Sequence, residues 1–222
     1  MPPEAFDLVI FDLDGTLLET AGEIGDAVNR WLAERGCPAL AENEVRGWIG
    51  HGTGVLLERV AAARGLAPPG ETERASFAGH YLASCGTRSR CYPGVREVLE
   101  RLRSAGTRLA LVTNKEARFT LKTLEAHGLR ADFDLVVCGD TLAARKPDPA
   151  PVHHCLRELG ARLERSLFIG DSAIDVQTAR NAGIRIWAVP YGYNGGAPIE
   201  AARPDRVIPG LSALLETYGA AA

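Results

Sequence analysis

Phe6-Asp7-Leu8-Val9-Ile10-Phe11-Asp12-Leu13-Asp14-Gly15-Thr16 is the stretch on which the fold turns. The run ending at Phe11 is almost unbroken apolar sequence of strand length. A strand buried on both faces of a parallel sheet reads that way. It delivers Asp12 and Asp14, two residues apart, and alternation would point both side chains the same way if the strand continued through them. Carboxylates so close repel unless a cation offsets them, and a divalent metal ion is the usual answer. Gly15 then supplies backbone freedom for a turn. Open α/β sheets place their chemistry at strand ends of this kind, so the segment predicts a metal-assisted enzyme.

Two regimes of periodicity follow. From Thr20 to about Tyr81 apolar residues recur at helical spacing, as in Ile24, Val28, Trp31 and Leu32, or Val55, Leu56 and Val60. After Pro93-Gly94 helices and strands alternate. Strands are expected at Arg108–Val112, Leu135–Cys138, Leu167–Ile169, Ile184–Val189 and Arg206–Ile208, with helices at Val95–Ala105, Glu116–His127, Ala150–Leu159, Ile174–Ala182 and Leu211–Tyr218. Ala5–Phe11 is the first strand, and the Ala-Ala-Ala end is read as a frayed tail. The predicted fold class is α/β, a Rossmann-like parallel sheet core with an inserted α-helical cap. Residues 1–16 and 88–222 form the core of this expectation, and 17–87 the cap.

Composition narrows the function. A net charge of -3 leaves no electrostatic footprint for nucleic acid or an anionic membrane. No apolar stretch approaches the ~20 residues of a membrane span, and the opening residues lack a basic-then-apolar leader. The five cysteines form no CxxC pair, as in proteins of a reducing compartment. A cytoplasmic protein, monomer or homodimer, with no nucleic-acid or membrane partner is the expectation.

The other strand ends supply the rest of a site. Leu111-Val112 is followed by Thr113-Asn114-Lys115, a later loop reads Arg145-Lys146-Pro147-Asp148-Pro149, and Phe168-Ile169 leads to Gly170-Asp171-Ser172-Ala173-Ile174-Asp175. Taken singly these are ordinary residues. Thr113 suits a strand end, Lys115 and Lys146 suit a solvated surface, and Asp175 suits the first turn of a helix. Asp148-Pro149 is a helix start. Brought to one sheet edge, however, several carboxylates, an ammonium and a hydroxyl hold a divalent cation and a phosphoryl group. Mg²⁺ prefers such oxygen ligands, and phosphoryl oxygens need cations and hydrogen-bond donors.

FDLDGTLLET, LVTNK, RKPDP and GDSAIDV, in that order, resemble the four signatures of the haloacid dehalogenase-like hydrolase superfamily. Within it, VVCGDTLAARKPDP and the stretch from Tyr92-Pro93-Gly94 are most similar to phosphoglycolate phosphatases. The resemblance implies that Asp12 is a nucleophile forming an aspartyl-phosphate and that Asp14 is the general acid and base. It implies Mg²⁺ on Asp12, the backbone carbonyl of Asp14, and Asp171. Thr113, Asn114 and Lys146 would hold the phosphoryl oxygens, and Asp175, one helical turn beyond Asp171, would orient a metal-bound water or pair with Lys146. Glu19 stands where relatives often carry aspartate.

Substrate choice is expected from the cap. Ile49-Gly50-His51-Gly52-Thr53 reads either as a helix start whose amides near Gly52 receive a substrate carboxylate or as a flexible turn. Arg64 and Arg90 read as surface residues, and the pair His153-His154 lacks partner ligands for a metal. Hydrolysis of a small phosphorylated metabolite, 2-phosphoglycolate, is the leading expectation. Alternatives are a capped phosphatase or mutase acting on pyrophosphate or a sugar phosphate and, from another class, a phosphoacceptor signalling module.

Overall fold

The computed structural model describes residues 6–218. The expected strand residue Ala5 and the alanine tail lie outside them. The chain runs β1 (Leu8–Phe11), β2 (Leu18–Glu19), α1 (Ala21–Ala33), α2 (Glu42–Arg46), α3 (Thr53–Ala63), α4 (Glu71–Ser84), β3 (Arg90–Cys91), α5 (Val95–Ser104), β4 (Arg108–Val112) and α6 (Ala117–Ala126). It continues with β5 (Leu135–Val137), α7 (Ala150–Leu159), β6 (Ser166–Gly170), α8 (Ala173–Ala182), β7 (Arg185–Ala188), β8 (Arg206–Val207) and α9 (Ala213–Tyr218). Six strands form one sheet in the order β5-β4-β1-β6-β7-β8, and every pairing in it is parallel.

Alternation divides each central strand between two apolar layers. Val9 and Phe11, Leu109 and Leu111, Leu167 and Ile169 pack with Val98 and Leu102 of α5 and Leu214 of α9. Leu8, Ile10, Ala110, Val112 and Phe168 pack on the opposite face with Val152 and Cys155 of α7 and Val176 of α8. Burying both faces is why these strands read as continuous apolar runs. Each fully buried Leu, Ile, Val or Phe contributes ~1.5–3 kcal/mol relative to exposure. The parallel arrangement also sends the C-terminal ends of β1, β4 and β6 to one edge.

Helices α1 to α4 leave the chain between β1 and β4 and keep an apolar cluster of their own, with Trp31, Leu57, Val60, Phe77 and Tyr81 at its centre. Phe119 of α6 and Tyr193 join it from the sheet side. The chain enters and leaves this helical region through a two-stranded antiparallel ribbon, in which Leu18 pairs with Cys91 and Glu19 with Arg90. Two residues per strand are too few for periodicity to reveal, and the ribbon is absent from the sequence-based expectation. No helix among the described residues is long and apolar enough to cross a membrane.

Candidate active site

β1 ends at Phe11, but the Asp12 N–H extends its ladder by one step to the Ile169 carbonyl at 3.0 Å. The strand does not carry through Asp14, so the two acids part company. Gly15, at φ +89°, turns the chain, and a Cβ there would lie 2.4 Å from Asp171 Oδ2. The expected shared orientation gives way to a loop that assigns each acid its own partners.

Asp12 is nearly buried, with Lys146 Nζ 2.8 Å from Oδ1 but not aligned as a hydrogen bond. Its other oxygen has no donor among the described residues. The same ammonium donates to Asp175 Oδ1 at 2.7 Å. Asp175 is fully committed. Its Oδ2 accepts from the N–H groups of Asp171 and Ser172 and from Ser172 Oγ at 2.6 Å, a reciprocal cap that starts α8. Asp171 Oδ1 accepts from Thr16 Oγ1 at 2.7 Å and Oδ2 from the Tyr193 N–H at 2.6 Å.

Three buried carboxylates here share one touching ammonium. Burial lifts the Asp12 carboxyl to about 7 against the pull of Lys146, and burial with the charges of Asp175 and Asp12 lifts Asp171 well above the usual carboxylate range. Burial also works against the Lys146 charge, yet Asp12 and Asp175 outweigh it and hold the ammonium above its ordinary pKa. Ligand atoms of Asp12, Asp171 and Asp175 lie within 4.8 Å of one another. An under-compensated, all-oxygen, buried set of this kind fits a hard divalent cation.

Asp14 faces the other way. Its Oδ1 accepts from Thr20 Oγ1 at 2.7 Å and from Lys115 Nζ at 2.9 Å. Lys115, expected to be solvated, is buried, with its ammonium 5.1 Å from the Tyr81 ring centroid. Its place at a strand end beneath α4 accounts for the difference, and a single sequence carries no signal of that overlying helix. Burial opposes its charge, but Asp14 and Glu23 outweigh it and raise its pKa.

Thr113 is buried at the end of β4 and lines a cavity between the sheet edge and the helices. Asn114, expected to touch a phosphoryl group, gives both amide hydrogens to protein carbonyls, those of Gly50 and Lys146, each at 3.0 Å. It ties the helical region to the sheet-edge loops and has no side-chain N–H left for a ligand. Gly52 starts α3 and lies against Asn114, so close that a Cβ on it would stand 3.1 Å from the Asn114 carbonyl oxygen. The cavity is lined on the helical side by Ile24, Ile49, Leu56 and Tyr81, and on the sheet side by Asp12, Asp14, Thr113 and Lys115.

Other expectations resolve simply. Arg64 binds the carbonyls of Pro38 and Ala39, and Arg90 sits exposed in the ribbon, so neither faces the cavity. His153 meets the Ala182 carbonyl while His154 meets Arg157, so the histidine pair shares no ligand set. His51 is exposed, its pKa lowered by partial burial and by Arg59 and Arg145. Glu19 anchors a hub, accepting from Tyr193 Oη at 2.5 Å, Arg46 at 2.7 Å and Tyr92 Oη at 3.1 Å.

The chain is similar in sequence and fold to known proteins. The chain is 38% identical over 214 residues to a phosphoglycolate phosphatase of Thiobacillus denitrificans, covering 95% of this chain and 94% of the relative. It is 41% identical to a phosphoglycolate phosphatase of Pseudomonas putida, over 94% of this chain and 78% of that one. A crystal structure of a predicted phosphoglycolate phosphatase from Haemophilus somnus superposes with a TM-score of 0.89 at 32% identity, covering 96% and 98% of the two chains. Residues 9–189 match the haloacid dehalogenase-like hydrolase family. With its four signature loops gathered at one sheet edge and a helical region inserted after the first, the chain belongs to the haloacid dehalogenase-like hydrolase family.

Proposed function

We propose that this protein is a Mg²⁺-dependent phosphatase that hydrolyses 2-phosphoglycolate to glycolate and inorganic phosphate. The observation that carries the reading is the division of labour between neighbouring acids. Asp12 keeps one oxygen free beside Lys146, while Asp14 is turned to a different set of partners, Thr20 and Lys115. The names of the relatives support the substrate.

In this mechanism the free Asp12 oxygen attacks phosphorus in line, forming an acyl-phosphate bond as the bond to the ester oxygen breaks. Asp14 gives its proton to the departing alkoxide. It then takes a proton from water as that water attacks the phosphorus, releasing phosphate and restoring Asp12. Lys146 and Thr113 hold the phosphoryl oxygens, and Asp175 keeps Lys146 aimed. Asp12, Asp171 and the Asp14 carbonyl would hold Mg²⁺. When bound, the ion offsets the charge of the carboxylates and the phosphoryl oxygens so that the two anions can meet. Asp175, saturated by Lys146 and Ser172, would stay outside the ligand set.

The helical region, residues 17–87, would act as a cap over a core of 1–16 and 88–222. Its separate apolar cluster and the cavity beneath it support that role. Gly52 and Thr53 at the start of α3 line the cavity, and their amides would lie beside the non-phosphoryl end of the substrate. The enzyme would work in the cytoplasm as a monomer or homodimer.

The test is phosphate release, with and without Mg²⁺, across 2-phosphoglycolate, pyrophosphate and sugar phosphates. Phosphoglycolate should give the highest kcat/KM, at ~10⁴ M⁻¹s⁻¹ or above, with sustained turnover. Faster hydrolysis of pyrophosphate, or conversion of one sugar phosphate into its isomer, would replace the reading. A single turnover would indicate a phosphoacceptor module.

A further inference from the structure

Resting on that substrate reading, we propose that Lys115 is the receptor for the substrate carboxylate and so the residue that selects an acidic leaving group. Lys115 is the one cationic side chain that lines the cavity among the described residues. An ammonium has three N–H donors, and this one makes a single hydrogen bond among the described residues, to Asp14. Its side chain is only 2% exposed, so water does not take up the unused donors. Such capacity in a buried ammonium is costly to leave idle, and an anionic ligand in the cavity would use it.

The placement suits a short hydroxy acid. Asp14 must reach the ester oxygen to protonate it, and in a glycolyl group that oxygen is separated from the carboxylate by a single methylene carbon. A cation 2.9 Å from Asp14 therefore stands where the carboxylate arrives. The opposite wall, Ile24, Ile49 and Leu56, is apolar and offers the carboxylate no competing cation. The backbone under Lys115 is fixed, its carbonyl accepting from Gly139 N–H at 2.9 Å and Thr120 Oγ1 at 3.2 Å. The ammonium is thus held in advance of binding. In the proposed mechanism the phosphoryl group falls to Lys146, which sits beside Asp12 and Asp175, and this leaves Lys115 for the other end of the substrate.

The experiment compares wild type, Lys115→Gln and Lys115→Arg on 2-phosphoglycolate and on 2-hydroxyethyl phosphate, which replaces the carboxylate by a neutral group. Wild type should prefer the acid. In Lys115→Gln the preference, taken as the ratio of kcat/KM values, should fall ~10–100-fold, chiefly through KM for the acid, as for a lost charge-assisted hydrogen bond. Lys115→Arg should retain more of the preference than Lys115→Gln. An unchanged ratio in Lys115→Gln, including an equal loss on both substrates, overturns the proposal and leaves Lys115 as a support for Asp14; the phosphoglycolate reading would survive that result. A wild-type enzyme that hydrolyses both esters without preference overturns both.

Discussion

Strand β1 carries an aspartate just before its first residue and another just after its last, and the two are treated in opposite ways. Asp7 meets two cations, Arg162 at 2.8 Å and Arg165 at 2.8 Å, with side chains 60% and 35% exposed. Asp12 shares one lysine with Asp175, and those three side chains are at most 9% exposed. At the first end one carboxylate meets two cations within reach of water; at the second, two carboxylates share one cation away from it. The lesson is one of purpose. The first arrangement ties down a strand, whereas the second stores an unmet demand for positive charge at the place where a metal ion and a phosphoryl group are to be held.

Substitutions at the two ends should therefore act with opposite signs. Asp12→Asn should show the largest effect, a loss of turnover of ~10⁴-fold or more, because no other carboxylate can take the nucleophile's part. In metal-free buffer the same change should leave Tm unchanged or raise it, since it leaves one buried lysine for one buried aspartate. A variant that kept its Mg²⁺-dependent activity would remove Asp12 from the nucleophile's role, and a large fall in Tm would break the contrast between the ends.

Lys146→Met comes next. It strands Asp12 and Asp175 without their shared cation, which should cost ~3–5 kcal/mol in denaturant unfolding. Activity should fall by ~10²-fold or more, since a charge on the phosphoryl group is lost too. Unchanged stability would mean that the buried acids were already neutral, and the supposed demand for positive charge would vanish.

Asp7→Asn should be smallest, lowering Tm by ~1–3 °C with kcat/KM unaltered. Hydrogen bonding and charge from Arg162, with help from Arg165, hold the Asp7 carboxyl down to about 2, below the ordinary 3.8. A carboxyl depressed in the folded state stabilises fully above its unfolded value. The Tm gap between wild type and variant should thus be present at pH 7 and close as pH falls from about 4 toward 2. A gap that persisted through that window, or a parallel loss of activity, would show that Asp7 does more than anchor the strand.

The two ends also differ in how far the sequence discloses them. The acids, Thr113 and Lys146 can be named from the residues because each follows an apolar strand in a parallel sheet, and parallel strands bring such ends together. Asp175 is within reach for a local reason, its spacing from Ser172 and Asp171 along a helix start. The burial of Lys115 and the partners of Asn114 are not legible in the sequence, because those partners come from α4 and from the loop before α3, distant along the chain. The Glu19 hub is hidden in the same way, as Arg46, Tyr92 and Tyr193 converge on it from three separate segments. Local periodicity reports which face of an element is buried, not what buries it.

The β2–β3 ribbon has a consequence for how the chain finds its fold. Because Leu18 lies beside Cys91 and Glu19 beside Arg90, the long helical excursion starts and finishes at one point. Once that short ribbon zips, the sheet is relieved of the entropy of an open loop, and β1 and β4 can meet as parallel strands joined by the single crossover helix α5. The helices can then be lengthened, shortened or exchanged with little disturbance to strand register. A hydrolytic sheet edge can in this way be offered one leaving group after another by re-plumbing a single junction.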